Sequence, residues 1–211
     1  MELKCPICGV QACSQGEEAA LPPFCPPNRY AEVLAAARRV YQEDAETRRL
    51  SVAAAQVEAE GYCRWPRVQE MMAFARRLGV EHLGIACCAG LIHEARLLLE
   101  ILEAHGFCVS GVCCKTGSIP KEEVGLRDAE KVRPGGFEAL CNPVAQAMLL
   151  NEAQTGLNIV VGLCVGHDSL FFRHSEAPAT VLVAKDRVTG HNPVAALYTS
   201  HSYYRGLKDL T

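Results

Sequence analysis

Residues 81–114 read EHLGIACCAGLIHEARLLLEILEAHGFCVSGVCC, a pattern typical of a strand, a helix and a second strand. The short apolar runs 81–88 and 107–114 flank an amphipathic segment, 91–105, which closes at Gly106. Apolar runs that alternate with amphipathic segments indicate βαβ units around a parallel sheet.

The same alternation continues toward the carboxyl end of the chain. Residues 158–165 and 180–184 are two further candidate strands, a helix is predicted over 143–155, and a shorter helix is predicted to begin near Asp168. We therefore predict an α/β fold for residues 80–211, with a mostly parallel sheet flanked by helices.

The residues before 80 have a different pattern of apolar side chains. Residues 28–79 carry apolar side chains at helical spacing and are predicted to form a helical segment. Residues 1–27 show neither helical nor strand periodicity but contain four cysteines, so we predict a cysteine-rich metal-binding leader that needs an external staple to be ordered.

The bulk composition excludes several classes of partner. The chain has 211 residues, of which 49% are apolar, and a net charge of −3, which gives no general attraction to nucleic acid or to an anionic membrane surface. No apolar stretch approaches the roughly 18 residues that a membrane span needs, and the first residues lack a signal core. The expected location is the cytoplasm.

Twelve cysteines are far more than ordinary usage. Because a cytoplasm keeps thiols reduced, metal or redox chemistry explains them better than a disulfide framework does. Some of them are expected to be small buried apolar residues.

The first cysteine group lies in the leader and consists of Cys5, Cys8, Cys13 and Cys25, followed by Pro26. A C-x-x-C turn brings two sulfurs to one ion, and two further thiolates complete the four ligands of tetrahedral zinc or of an iron–sulfur cluster. The long gap before Cys25 matches neither ferredoxin motifs nor paired zinc knuckles. The alternative is a leader with reduced surface thiols.

The second cysteine group is scattered in sequence but shares one position in the predicted fold. Cys87-Cys88, Cys113-Cys114 and Cys164 end three strands, and Cys141 precedes a helix start at Asn142-Pro143. The carboxyl ends of parallel strands form the ligand crevice of an open α/β sheet, so these thiols are expected to converge as metal ligands. Simple burial of cysteine is the alternative.

Two histidines are candidates for the same crevice. Cys164-Val165-Gly166-His167-Asp168-Ser169 has the form of a strand-to-helix turn that presents backbone N–H groups, His167 and Asp168 to a ligand. His191-Asn192-Pro193 echoes Cys141-Asn142-Pro143, which places a titratable or metal-competent side chain before each predicted helix. Structural helix capping is the alternative for both segments.

Several motifs together resemble a prokaryotic family of unknown function described as predicted metal-binding proteins. They are Cys88-Ala89-Gly90-Leu91 with Glu94-Ala95, Cys114-Lys115-x-Gly117, Cys141-Asn142-Pro143 and Gly162-Leu163-Cys164-Val165-Gly166-His167-Asp168-Ser169. The resemblance implies metal binding by cysteines and favours Cys88 and Cys114 over their neighbours Cys87 and Cys113. It implies no particular reaction.

Three functions are compatible with these patterns. The first is a redox or sulfur-handling protein with an iron–sulfur cluster, expected to be 4Fe-4S, on the leader and a second thiolate-ligated metal centre in the crevice. Its expected partner is an electron-transfer protein or a small-molecule ligand. The second is a zinc-stapled module that binds a small ligand. The third is a thiol enzyme with Cys141 or Cys164 as nucleophile and His167 or His191 as base.

Overall fold

The computed structural model describes residues 3–209 and divides the chain into two compact units between Tyr62 and Cys63. This boundary falls inside the predicted helical segment 28–79, so the last helix of that segment belongs to the same unit as the sheet. Within residues 3–209, no helix is long and apolar enough to cross a membrane.

The first unit is helical after an irregular leader. Three short 3-10 turns, Cys5–Ile7, Ala12–Ser14 and Glu18–Ala20, precede helices α1 (Pro26–Arg29), α2 (Ala31–Glu43) and α3 (Ala45–Gly61). Helix α3 begins where the Asp44 carboxylate accepts a hydrogen bond from the Thr47 N–H at 2.8 Å. In residues 3–27 only Ala12 and Cys25 are buried, so the leader has almost no apolar core of its own.

The second unit alternates strands and helices as the sequence predicts. Its elements are α4 (Arg67–Arg77), β1 (His82–Cys87), α5 (Ile92–Ala104), β2 (Cys108–Cys113), α6 (Pro143–Glu152), β3 (Leu157–Val161), α7 (His167–His174), β4 (Ala179–Val183) and α8 (Val194–Tyr198). All four predicted strands are present, although β3 ends earlier than expected.

The sheet has four strands in the order β2-β1-β3-β4, and every neighbouring pair is parallel. Cys87 of β1 is level with Cys113 of β2 and with Val161 of β3. The carboxyl ends of the strands therefore meet at one edge of the sheet. The predicted α/β fold with a parallel sheet is confirmed.

Each face of the sheet is covered by helices, as a parallel sheet requires. On one face Leu83, Ile85 and Cys87 pack against α4 and α5, whose buried residues are Met71, Met72, Ala75, Ala95, Leu98 and Leu102. On the other face Ala86 and Val160 pack against α6 and α7 through Ala147, Leu150 and Phe171.

Helix α6 is tied to the strand ends by one buried polar side chain. Gln146 is fully buried, and its amide donates to the carbonyls of Cys87 at 3.1 Å and Val112 at 2.6 Å. Because buried polar groups are costly unless they are hydrogen-bonded, these two bonds fix the helix against the ends of β1 and β2.

A second buried amide fills the space in front of Gly84 in the central strand. Asn158 accepts a hydrogen bond from Thr155 at 2.8 Å and donates one to Ser175 at 2.8 Å. A Cβ atom on Gly84 would lie 2.0 Å from the Asn158 side-chain oxygen. Only glycine allows this close approach.

We expect Gly84→Ala to destabilise the protein by about 1–3 kcal/mol, because the added methyl group displaces a fixed hydrogen-bonded amide. The matched control is Gly111→Ala in edge strand β2, where a Cβ atom meets nothing within 4 Å. That change should be neutral or stabilising by up to about 1 kcal/mol. Urea denaturation of both variants measures the difference, and equal stabilities would contradict the packing argument.

Candidate thiolate site at the carboxyl edge of the sheet

Four cysteines from separate segments lie at the carboxyl edge of the sheet. Cys88 directly follows β1, and its N–H donates to the Val161 carbonyl of β3 at 3.0 Å. Cys114 directly follows β2, and its N–H donates to the Cys87 carbonyl at 2.8 Å. Cys164 lies in the loop after β3. Cys141 immediately precedes α6.

Cys141 is brought to this edge by the start of α6. The Asn142 N–H donates to the Cys114 carbonyl at 2.7 Å, and the Asn142 side chain caps the helix by accepting from the Ala145 N–H at 3.0 Å. The predicted capping role of Asn142 is therefore present. It places the Cys141 thiol beside Cys114 and at a helix N-terminus, which favours a thiolate.

The doubled cysteines separate onto opposite faces because strand side chains alternate. Cys88 and Cys114 are buried on the α6 side, where Cys141 also packs. Cys87 is buried on the α5 side. Cys113, at the end of β2, contacts both clusters.

Each sulfur at this edge accepts a hydrogen bond from a nitrogen. The Cys114 Sγ accepts from the Ala89 N–H at 3.3 Å. The other three sulfurs accept from cations: Cys88 from Lys185 Nζ at 3.3 Å, Cys141 from Lys115 Nζ at 3.3 Å and Cys164 from Arg187 Nη2 at 3.1 Å. Such donors stabilise a thiolate over a thiol.

The Cys141 thiol favours its charged form. Its pKa lies well below the usual value because it accepts a hydrogen bond from Cys114, and because the Lys115 ammonium favours the thiolate. The pKa of Cys114 moves in the opposite direction, first through the same hydrogen bond and then through burial. The two thiols therefore titrate as an interacting pair in which Cys141 is the more acidic.

Cys87, on the other face, behaves differently. Burial first, and then the neighbouring Cys113 and Cys88 thiols, raise its pKa to about 11. Cys87 is therefore a neutral thiol at pH 7.

His167 lies at the first turn of α7 and faces this site. The backbone N–H of His167 donates to the Cys164 carbonyl at 2.9 Å. Its Nδ1 atom is buried and has no hydrogen-bond partner among residues 3–209. A buried ring nitrogen without a partner is costly, so Nδ1 is available to a ligand.

The other two predicted cofactor-binding residues hold local turns. The Asp168 carboxylate accepts from the N–H groups of Gly166 at 3.0 Å and Ser169 at 2.8 Å. His191 Nδ1 accepts from the Asp186 N–H at 3.1 Å, and the His191 N–H donates to the Asp186 carbonyl at 2.8 Å. These bonds close the loop that carries Arg187.

The three cations of the site were not among the residues predicted from the sequence. Lys115 follows Cys114 directly, and Lys185 and Arg187 follow the end of β4. Basic residues just beyond the strand ends lie at the same edge of the sheet as the cysteines do. Their positions in the sequence could therefore have indicated that they belong to the site.

The leader forms a separate group of thiols in the first unit. Burial raises the pKa of Cys25, and the neighbouring thiols of Cys13, Cys5 and Cys8 raise it further. The four leader cysteines therefore lie in one electrostatic neighbourhood. In the described part of the chain, no three His, Cys, Asp or Glu side chains already stand in an arrangement that could hold a metal ion.

Comparison with known families places most of the site in a recognised region. Residues 25–182 match the family described as "Protein of unknown function (DUF1847)". The chain belongs to the DUF1847 family. The resemblance to a family of unknown function is thus confirmed. The DUF1847 match includes Cys25 and the four thiols of the sheet edge, but it begins after Cys5, Cys8 and Cys13 and ends before Lys185 and Arg187.

One relative supports this assignment. "Uncharacterized protein MJ0455" of Methanocaldococcus jannaschii is 42% identical over 156 residues, which cover 74% of this chain and 79% of the relative. No solved structure matches the chain significantly.

In reduced, metal-free protein, Lys115→Gln should raise the pKa of Cys141, because it removes the ammonium that donates to the thiolate. A hydrogen bond to a charged group is worth about 1.5–3 kcal/mol, and partial exposure reduces this, so we expect an upward shift of about one pH unit. The measurement is the pH dependence of Cys141 alkylation, mapped by mass spectrometry. At pH values between the two midpoints, the variant should react more slowly than the parent.

The control is Lys121→Gln, since Lys121 pairs with Glu138. This variant should leave the alkylation midpoint of Cys141 unchanged. An unchanged midpoint in Lys115→Gln as well would contradict the role assigned to Lys115.

Proposed function

We propose that this protein is a cysteine-ligated metal protein whose sheet-edge site, formed by Cys88, Cys114, Cys141 and Cys164, holds an iron–sulfur cluster. The observation that carries the proposal is the placement of four thiols from four chain segments at one edge of the sheet, where three of them accept hydrogen bonds from cations. Simple burial of cysteine does not require cations at three of the four sulfurs.

The donor chemistry of the site fits a cluster. Four thiolates are the ligand set of a 4Fe-4S cluster, and soft sulfur donors select iron–sulfur clusters, zinc or copper(I) over hard ions. Lys115, Lys185 and Arg187 offset the negative charge that such ligands bring. Hydrogen bonds to sulfur and burial are the means by which proteins tune cluster potentials.

His167 supplies the remaining polar atom of the site. Its buried Nδ1 has no partner within residues 3–209, and the His167 side chain is near enough to Cys141 to interact electrostatically. Its role in the proposal is to ligate the metal or to donate to a sulfur ligand. Asp168 and His191 hold the surrounding turns.

The leader is proposed as a second metal centre with Cys5, Cys8, Cys13 and Cys25 as ligands. Four thiols in one neighbourhood and only two buried residues in 3–27 support this proposal. A bound metal would provide the ordering that apolar packing does not.

A redox or sulfur-handling role follows from an iron–sulfur occupant, with an electron-transfer partner or a small molecule acting at the sheet edge. Zinc is the alternative occupant, and it would make the protein a binding module without redox chemistry.

A specific observation favours one further candidate, a thiol enzyme. Cys141 is stabilised as a thiolate by Cys114 and Lys115, which is the state a nucleophile needs. In this case Cys141 attacks the substrate and His167 serves as the acid or base.

Anaerobically purified protein should be brown, with iron and sulfide in comparable amounts. Cys114→Ser and Cys141→Ser should each lose most of the iron at the sheet edge while the fold persists. His167→Gln should weaken metal retention by about 10–100-fold if the ring acts on a ligand. Visible spectra, metal and sulfide analysis and circular dichroism provide the measurements.

The control is Cys108→Ser, which changes an exposed thiol at the opposite end of β2. It should keep the parent spectrum and metal content. Colourless protein with stoichiometric zinc would replace the cluster by the zinc alternative. If the protein binds no metal after reconstitution, the metal proposal is overturned and the thiol enzyme is the function that remains.

Cys8→Ser should loosen the leader selectively, because only Ala12 and Cys25 are buried in residues 3–27. Limited proteolysis of the metal-loaded variant should show new cleavage before residue 28, while the sheet unit stays intact. Cys108→Ser again provides the control. An unchanged digestion pattern in Cys8→Ser would argue against a metal-stapled leader.

A further inference from the structure

Two thiols of the sheet have no part in the proposed function. Cys87 and Cys113 are direct register partners at the ends of β1 and β2. Neighbouring strands lie about 4.8 Å apart, and partners level with each other direct their side chains to the same face. The two thiols are near enough to interact electrostatically, and two metal–sulfur bonds of about 2.3 Å join sulfurs up to ~4.6 Å apart.

A cavity of about 400 Å³ opens beside these two thiols. Its lining is mainly apolar and includes Ile85, Ile92 and Leu99, with Arg96 as its charged residue. Gly111 creates part of the space, because a Cβ atom there meets nothing within 4 Å. Solvent reaches this region, since β2 is an edge strand and Gly111 is exposed.

The sheet separates this cavity from the thiolate site. Cys87 packs with the α5-side core, whereas Cys88 and Cys114 pack on the α6 side. The Cys87 Sγ is directed to the Val112 carbonyl at 3.7 Å and not to any cation of the sheet edge. Cys87 thus has surroundings different from those of Cys88 and Cys114, and Cys113 contacts both cores.

We propose that Cys87 and Cys113 form a second dithiol site, which binds a soft metal or metalloid centre carrying a small apolar group. Thiols are the donors that soft centres select. The volume lies in the range of small-molecule pockets and is far larger than the roughly 30 Å³ that a water-sized occupant needs. The apolar lining therefore has room for an organic substituent beside the two sulfurs.

Phenylarsine oxide is the probe, because it combines a soft arsenic(III) centre with one phenyl ring. On binding, two As–S bonds replace the bond between arsenic and oxygen, and the two thiol protons leave with the oxygen as water. No electron is transferred, so the reaction needs no oxidant or reductant.

Intact-mass spectrometry of the reduced full-length protein counts the phenylarsenic adducts. Cys87→Ala and Cys113→Ala should each carry one adduct fewer than the parent, and the double variant should lose the same single adduct. Cys113 is only half-buried, so Cys113→Ala tests the site even if Cys87→Ala fails to fold. Cys108→Ala, in the same strand, should keep the parent number.

Gly111→Val tests the cavity while leaving both sulfurs in place. It should weaken phenylarsine oxide binding at this site at least tenfold but still allow inorganic arsenite, which has no apolar group, to add. Equal binding of phenylarsine oxide by the parent and Gly111→Val would overturn the role of the cavity.

The outcome is independent of the sheet-edge proposal. Cys114→Ser combined with Cys141→Ser should remove a different adduct, so adding these changes to the Cys87/Cys113 variant should lower the count further. A missing second loss would count against thiol reactivity at the sheet edge only. An unchanged adduct number in both Cys113→Ala and the double variant would overturn the second dithiol site.

Discussion

The parallel register of β1 between β2 and β3 is the constraint on which the rest of the second unit depends. It sets Cys87, Cys113 and Val161 level with one another, so three strands end at the same edge. Beyond that edge the ladder hydrogen bonds are replaced by loop contacts, such as the Cys88 N–H to the Val161 carbonyl. Every residue of the thiolate site lies on a segment that leaves or returns to this edge.

Helix α6 determines the surroundings of the thiols at this edge. Gln146 fixes the helix to the carbonyls of β1 and β2, and Asn142 caps its first turn. Cys141 is consequently held between Cys114 and Lys115, where it is the more acidic thiol of the pair. A shift of α6 along the sheet would separate Cys141 from both Cys114 and the Lys115 ammonium. The buried amide of Gln146 thus supports the electrostatics as well as the packing.

The alternation of side chains along a strand explains why the two cysteines of each doubled pair have different neighbours. Adjacent cysteines in one strand cannot serve the same site, because one step along the chain moves the side chain to the opposite face. Cys88 and Cys114 accordingly share a face with Cys141, whereas Cys87 lies with the core under α5. The two faces also differ in charge. Cations surround the sulfurs of one face, and mainly apolar side chains line the cavity of the other.

The sequence by itself determined the elements and the edge at which the cysteines gather, because strand and helix periodicities are local and parallel strands must end together. It also identified Asn142 as a cap and the residues around His167 as a strand-to-helix turn. Three features depended on tertiary structure. Strand order and register decided that Cys87 and Cys113 together line the cavity beside α5. The loop closed by His191 brought Lys185 and Arg187 to cysteines far away in sequence. The unit boundary at Tyr62 depended on which core α4 joins. The apolar stripes within 28–79 look alike in sequence, so only packing shows which core each helix joins.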